Sequence, residues 1–278
     1  MALWFDEVFE DRVRLGFRVT RSLLHTRSEY QTIDIVETEP FGLTLLLGGA
    51  YMTSVADEFH YHEMLVHPAL VTAPAIRRVL VIGGGDGGTV REVLRYREVE
   101  QVVLCELDGL VVEACKQHLT AFKVPWDDPR LNVRIGDGVA YLRDYTGEPF
   151  DVILVDGPDP VGPAEGLFQS PFYDACKARL SPAGVLASQT EAPLLMREDF
   201  VRIQKALRGT FARVHPYFGP VPIYPCGSWS WSFASSSVDP QALRDERLAQ
   251  IEQGCRYYNR DIHRAAFVQS NDIRKALG

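Results

Sequence analysis

The sequence predicts an α/β protein built on a mostly parallel sheet, preceded by a small β unit. Three observations carry this. Beyond residue 77, short Val/Ile/Leu-rich runs alternate with helical patterns. The first of those runs ends in a glycine loop, "VLVIGGGDGGTVREVL", that opens into a helix. Up to about residue 54 the pattern is β-like instead, with turn residues between apolar stretches. Continuous apolar strands mark a sheet buried on both faces, the signature of parallel strands covered by helices.

In chain order, "YQTIDIVET" and "FGLTLLLGG" flank Pro40 and Gly42 and read as a hairpin turning at "TEPFG". Residues 57–72, "DEFHYHEMLVHPALVT", have helical spacing, with Ser54 or Asp57 as the N-cap. Strands are expected at 78–83, 102–106, 132–136, 151–156 and 184–189. Helices are expected near 88–96, 108–119, 138–144, 170–180 and 197–208. The late patterns "ARVHPYF" and "SWSWSFASS" read as an antiparallel pair closing one sheet edge. This divides the chain into a β-hairpin unit, 1–56, and a catalytic unit, 57–278.

Composition narrows the function. The chain is 46% hydrophobic and 24% charged, and no apolar run approaches the ~20 residues that span a bilayer. The start, "MALWFDEVFEDR", is acidic where a signal peptide is basic, so a cytoplasmic protein without a membrane partner is expected. The five cysteines include no CxxC pair and read mostly as small buried residues, not disulfides or zinc ligands. A net charge of −8 argues against nucleic acid and favours cationic ligands.

Gly83, Gly85 and Gly88 satisfy G-x-G-x-x-G directly after a strand, and the next strand ends in Glu106. A carboxylate there accepts hydrogen bonds from ribose hydroxyls in nucleoside-binding α/β folds. The third strand leads into Asp137 and Gly138, and the fourth ends in "DGPDP", with Asp156 and Asp159. Open α/β sheets bind ligands at their carboxyl edge. Asp86, Glu106, Asp137, Asp156 and Asp159 therefore converge on one crevice and describe a site for a cation. "HYHEMLVH" resembles the zinc motif H-E-x-x-H with one residue too many; positions five apart diverge by about 140° around a helix, so no metal is expected.

The segments "YQTIDIVE", "LLLGGAYMTSVADEFHYHEMLVHPAL", "VLVIGGGDGGTVREVL", "CELDGLVVEACKQHL", "DDPRLNVRIGDGVAYL", "FDVILVDGPDPVGPAEGLF", "FYDACKARLSPAGVLASQ" and "PIYPCGSW" together resemble the polyamine aminopropyltransferases, the spermidine synthase family. The resemblance implies a Rossmann-like, methyltransferase-type domain behind an N-terminal β domain, and a homodimer or homotetramer. It implies transfer of the aminopropyl group of decarboxylated S-adenosylmethionine to a diamine, releasing 5′-methylthioadenosine. The donor is a co-substrate, and no further cofactor is expected.

On the matching positions, the resemblance assigns Gln31, Glu106, Asp137, Gly138 and Pro163 to the thioadenosine. It gives Asp86 to the donor's terminal amine and Tyr61, His62, Asp159, Gln189 and Tyr224 to the amine acceptor. Asp156 becomes the general base. One departure stands out: Gly157-Pro158 replaces the small polar residue the family carries between the paired aspartates, which puts the shape of the acceptor pocket in question. Putrescine is the first expectation as acceptor, with agmatine, cadaverine or a longer polyamine as alternatives. Glu191 lies two residues beyond Gln189 and is either a further contact or a solvated side chain.

Three other functions compete. An S-adenosylmethionine-dependent methyltransferase shares the nucleoside contacts but must accept a carboxylate where Asp86 stands. A non-catalytic polyamine-binding protein would have no use for both Asp156 and Asp159. A nicotinamide-dependent dehydrogenase would set a pyrophosphate against Asp86.

Overall fold

In the computed structural model, residues 3–9, 11–160 and 162–278 are described. The N-terminal segment forms a five-stranded antiparallel meander: β1 (Leu3–Phe9), β2 (Val13–Arg27), β3 (Thr32–Thr38), β4 (Gly42–Leu47) and β5 (Ala50–Ser54). The expected hairpin is β3–β4, paired from Ile33↔Leu47 to Thr38↔Gly42, and Gly42 takes the turn at φ +68°.

Helix α1 (Glu58–Leu70) follows, as the spacing predicts. Its N-cap differs from the expected one in chemistry. Asp57 stands at that position but makes no capping bond; its carboxylate accepts from Ser54 Oγ at 2.5 Å and from the Ile223 N–H at 2.8 Å. Asp57 thus ties the start of α1 to the distant loop that carries Tyr224.

The second sheet has seven strands in the order β11-β12-β10-β9-β6-β7-β8. Here β6 is Arg78–Gly83, β7 Gln101–Glu106, β8 Leu131–Ile135, β9 Phe150–Asp156 and β10 Leu180–Gln189. These five run parallel. Strands β11 (Arg213–Pro220) and β12 (Ser228–Ser235) close one edge antiparallel, as read from the sequence. Helices α2 (Gly88–Leu94), α3 (Gly109–His118), α4 (Gly138–Asp144), α5 (Ser170–Arg179) and α6 (Arg197–Thr210) fall where the helical patterns do.

Period-two alternation explains the double-sided core. Val79 and Val81 of β6 pack on one face with Met64, Leu65 and Val90, while Leu80 and Ile82 pack on the other with Phe172 and Leu207. Each such side chain, fully buried, contributes roughly 1.5–3 kcal/mol. A third cluster joins Ile33, Ile35 and Leu45 of the N-terminal sheet to Val111, Ala114 and Phe122 at α3, so the β unit roofs the carboxyl edge of the large sheet.

Three short helices end the chain: α7 (Asp245–Ile251), α8 (Arg260–Ala266) and α9 (Asn271–Leu277). They are seven residues each, too short for a clear helical period, and the sequence reading assigned none of them. Among the described residues no helix is long and apolar enough to cross a membrane.

Candidate active site

Strand order reverses between β6 and β9, whose ends pair Gly83 with Asp156. Such a switch point leaves a crevice at the carboxyl edge. Here it is a cavity of about 470 Å³, within the range of small-molecule sites. The glycine loop is shaped by that proximity. A Cβ on Gly83 would lie 2.0 Å from the Asp156 carbonyl oxygen, and one on Gly84 2.6 Å from the Asp156 carboxylate. Both residues also have positive φ, +77° and +74°.

The half expected to take the nucleoside is built largely from the first three strand ends. Glu106 ends β7, accepting from the Gly85 N–H at 3.1 Å and the Asp108 N–H at 2.9 Å. Burial, with the neighbouring charges of Asp108 and Asp156, pushes its carboxyl up to about 7. Asp137 caps α4 through the Val139 N–H at 2.8 Å, and Gly138 is required where a Cβ would meet Ile82 at 2.5 Å. Gln31 reaches in from the N-terminal sheet, its Nε2 3.2 Å from Asp108. All of these line the cavity. Pro163 falls in the turn Gly162–Phe168, but its side chain lies outside the described residues.

Asp86 also lines the cavity, and it does not stand alone. Its Oδ1 accepts from the Gly88 N–H at 2.6 Å and lies 3.3 Å from Nε2 of His62. Burial would raise the Asp86 carboxyl, but the His62 charge outweighs it and holds the group below its usual range. The resemblance gives His62 to the amine acceptor; its imidazole, carried by α1, stands against Asp86, a pairing the five carboxylates of the sequence did not announce.

Asp156 sits where the two halves meet. Thr89 Oγ1 donates to its Oδ2 at 2.6 Å, and the nearby Tyr61 hydroxyl also favours the ionised form. Burial, then the charge of Asp86, pushes the Asp156 carboxyl up to about 6. Tyr61 and Tyr224 meet edge to face with ring centres 6.1 Å apart, and the Tyr224 hydroxyl donates to the Met52 carbonyl at 2.8 Å. That leaves the Tyr224 oxygen as an acceptor toward the cavity it lines.

A second cavity of about 40 Å³ adjoins the first, sharing Tyr61, Asp159 and Tyr224 in its wall and lined further by Glu7, Tyr51, Met196 and Trp229 among others. Burial, with Asp199 nearby, pushes Asp159 up to about 6. Burial and the charge of Asp159 push Glu7 up to about 7, against a bond from the Tyr51 N–H. Sequence reasoning missed Glu7. The adjacent acids Asp6 and Glu7 in "LWFDEVF" give no sign that β1 folds back toward a crevice formed after residue 83.

One assigned residue stands elsewhere than at the cavity wall. Gln189 is buried behind the Asp156–Asp159 loop, its Nε2 2.9 Å from Glu191 Oε1 and 3.3 Å from the carbonyls of both Gly157 and Pro158. It braces the Gly157-Pro158 turn, where Pro158 offers no N–H of its own. Glu191 is fully buried at φ +72°, with Oε2 unpartnered, and is not a solvated surface acid. Burial, with the charge of Asp159, holds its carboxyl well above the usual range. His62 lines the cavity but is only 1% exposed, lodged between two carboxylates. His67, the other half of the zinc-like motif, points to Glu92 and Tyr96 instead.

This arrangement matches known proteins along its whole length. A spermine/spermidine synthase domain matches residues 58–245, and a spermidine synthase tetramerisation domain matches residues 3–54. The chain belongs to the spermine/spermidine synthase family. A polyamine aminopropyltransferase of Prochlorococcus marinus (strain MIT 9313) is 42% identical, with 95% of this chain and 92% of the relative covered. One from Caldicellulosiruptor saccharolyticus is 38% identical, with 100% and 99% covered. A spermidine synthase crystallised with the transition-state analogue AdoDATO superposes with a TM-score of 0.95 at 38% identity, covering 99% of this chain and 95% of that one. The spermidine synthase of Thermotoga maritima gives 0.93 at 37% identity, covering 99% and 94%. The chain is an enzyme of the polyamine aminopropyltransferase class.

Proposed function

We propose that this enzyme moves the aminopropyl group of decarboxylated S-adenosylmethionine onto a short diamine, putrescine first, giving spermidine and 5′-methylthioadenosine. The observation that carries this reading is the sequence of groups along two adjoining cavities. A nucleoside end bearing Glu106 and Asp137 leads to Asp86, then Asp156 between two tyrosines, then the smaller, aromatic-walled cavity bearing Asp159 and Glu7. A sulfonium donor and a diamine present cations at those carboxylates, with an aliphatic chain between them.

The acceptor nitrogen attacks the aminopropyl carbon bonded to sulfur. The C–N bond forms as the C–S bond breaks, and the electron pair passes to sulfur, leaving a neutral thioether. The donor already carries its leaving group, so alignment supplies much of the rate. The obstacle is the acceptor's proton: an amine near 10.4 costs roughly 4–5 kcal/mol to deprotonate at pH 7. A carboxylate beside an ammonium opposes that loss, so two carboxylates divide the work. Asp159 and Glu7 anchor the distal ammonium. Asp156, oriented by Thr89 and close to Tyr61, takes the proton from the attacking nitrogen.

We read residues 1–56 as the unit that roofs the site and 57–278 as the catalytic unit, working in the cytoplasm. Leu3, Trp4 and Val8 of the edge strand β1 are 61%, 59% and 51% exposed, which supports a homodimer or homotetramer through this sheet. Trp4→Asp should then lower the mass measured by light scattering. The test of the function is a panel of putrescine, cadaverine, agmatine and spermidine with decarboxylated donor, following methylthioadenosine release. Putrescine should give the highest kcat/KM. Methyl transfer from S-adenosylmethionine with no aminopropyl transfer would overturn the reading.

A further inference from the structure

The loop carboxylate Asp86 is backed by a chain of buried charges, His62, Glu58 and Arg91. His62 is wedged between two acids, with Nδ1 2.7 Å from Glu58 Oε2 and Nε2 3.3 Å from Asp86 Oδ1. An ionised carboxylate only accepts hydrogen bonds, so Nδ1 donates to Glu58, while Nε2 lies within ion-pair distance of Asp86. A ring set between two carboxylates is favoured as the imidazolium. Glu58 opens α1, one helical turn before His62, and Arg91 of α2 grips it through two bonds, Nη2–Oε2 at 2.7 Å and Nη1–Oε1 at 3.0 Å. Arg91 is itself fixed by Glu92 Oε1 at 2.8 Å and by the Phe122 carbonyl at 3.1 Å.

We propose that Glu58 and Arg91 are positioning residues for donor recognition, holding His62 protonated against Asp86 so that this carboxylate, among its acidic neighbours, carries the charge. The proposal rests on the reading that Asp86 receives the donor's ammonium. The groups facing His62 are Glu58 from α1, Asp86 from the glycine loop, Arg91 through Glu58, and Asp156 from β9, with the rings of Tyr61 and Phe122 beside it. Burial alone would push the imidazole down; the charges of Asp86 and Glu58 outweigh it and hold it well above its usual range. Within the set Glu58 and Asp86 face Arg91 and His62, with Glu92 shared between Arg91, Arg95 and His67. Removing the Glu58 charge leaves the pocket one unit more positive, or drives a proton from His62 and turns its lone pair toward Asp86. Both outcomes disfavour an incoming ammonium and leave a neutral nucleoside untouched.

The test compares dissociation constants of decarboxylated S-adenosylmethionine and methylthioadenosine, by calorimetry at fixed salt. Glu58→Gln should weaken the donor about fivefold or more relative to methylthioadenosine, and Arg91→Lys, which keeps the charge but loses the two-point grip, should weaken it less. A purely structural role would move both ligands together. If Asp86→Asn shifts the ratio and Glu58→Gln leaves it within about twofold, the proposal is wrong while the reading of Asp86 stands. If Asp86→Asn leaves it unchanged, both fall. Should Glu58→Gln fail to bind methylthioadenosine at all, nitrogen-15 spectra of the unaltered enzyme decide. Both His62 ring nitrogens should carry protons at pH 7.5, and a neutral tautomer overturns the proposal.

Discussion

Thr89 donates a 2.6 Å hydrogen bond to Asp156, so the carboxylate that ends β9 is oriented from the first turn of α2. This bond favours the ionised form and works against the burial that pushes the group up to about 6. Thr89→Val keeps the shape and removes the bond. The acid limb of the kcat profile should move to higher pH, with little change at pH 8.5. Asp156→Asn should lower kcat by about 10²–10⁴, the usual cost of losing a general base, while methylthioadenosine still binds. Retention of more than about a tenth of wild-type turnover would remove Asp156 from the base role.

The acceptor end predicts its own pH dependence. Burial, with nearby acids, pushes Asp159 up to about 6 and Glu7 up to about 7, so below pH 6 both are largely protonated. A protonated carboxyl does not pair with an ammonium, and the acceptor KM should fall as pH rises from 5 to 7.5. The rate at subsaturating acceptor should continue to climb to pH 9 as neutral amine accumulates. A flat profile from pH 7 to 9, with chemistry limiting, would count against attack by a free amine.

Glu7→Gln tells the two cavities apart. It should raise the acceptor KM about tenfold, the scale of one partly screened charge pair, and leave methylthioadenosine affinity unchanged. Equal losses at both ligands would mean that Glu7 only supports the β unit, through its bond with the Tyr51 N–H.

Gly88 offers a steric test. A Cβ there would sit 2.2 Å from the His62 ring, so Gly88→Ala must displace His62 or the helix start. Overpacking of this kind costs typically 1–3 kcal/mol. Donor binding should suffer more than methylthioadenosine binding, because the displaced ring is the partner of Asp86.

Much of this site was legible because it lies at strand ends, where short apolar runs stop at named residues. Gly83, Asp86, Glu106, Asp137 and Asp156 all stand on the cavity wall the strand pattern predicts. What escaped depended on side-chain direction or distant pairing. Gln189 ends a strand as read, yet it turns to brace the Gly157-Pro158 loop, a choice no periodicity reports. Glu7 arrives by the antiparallel stacking of the N-terminal sheet. Glu58 and His62 had a readable signal, the i,i+4 spacing of an acid and a base, but their third partner, Arg91, comes from another helix.

The most direct test of the account is the selectivity between decarboxylated S-adenosylmethionine and S-adenosylmethionine, in the unaltered enzyme and in Asp86→Asn. The two ligands differ by a carboxylate beside the amine that Asp86 is proposed to receive. Unit charges ~4 Å apart at an effective dielectric near 20 interact by ~4 kcal/mol, and rearrangement reduces this to roughly 2–3 kcal/mol. The unaltered enzyme should therefore prefer the decarboxylated donor by between one and two decades. Asp86→Asn should weaken that donor, leave S-adenosylmethionine unchanged or slightly tighter, and erase most of the preference. A ratio of dissociation constants that moves by less than about threefold would contradict the account and return the site to methyl transfer.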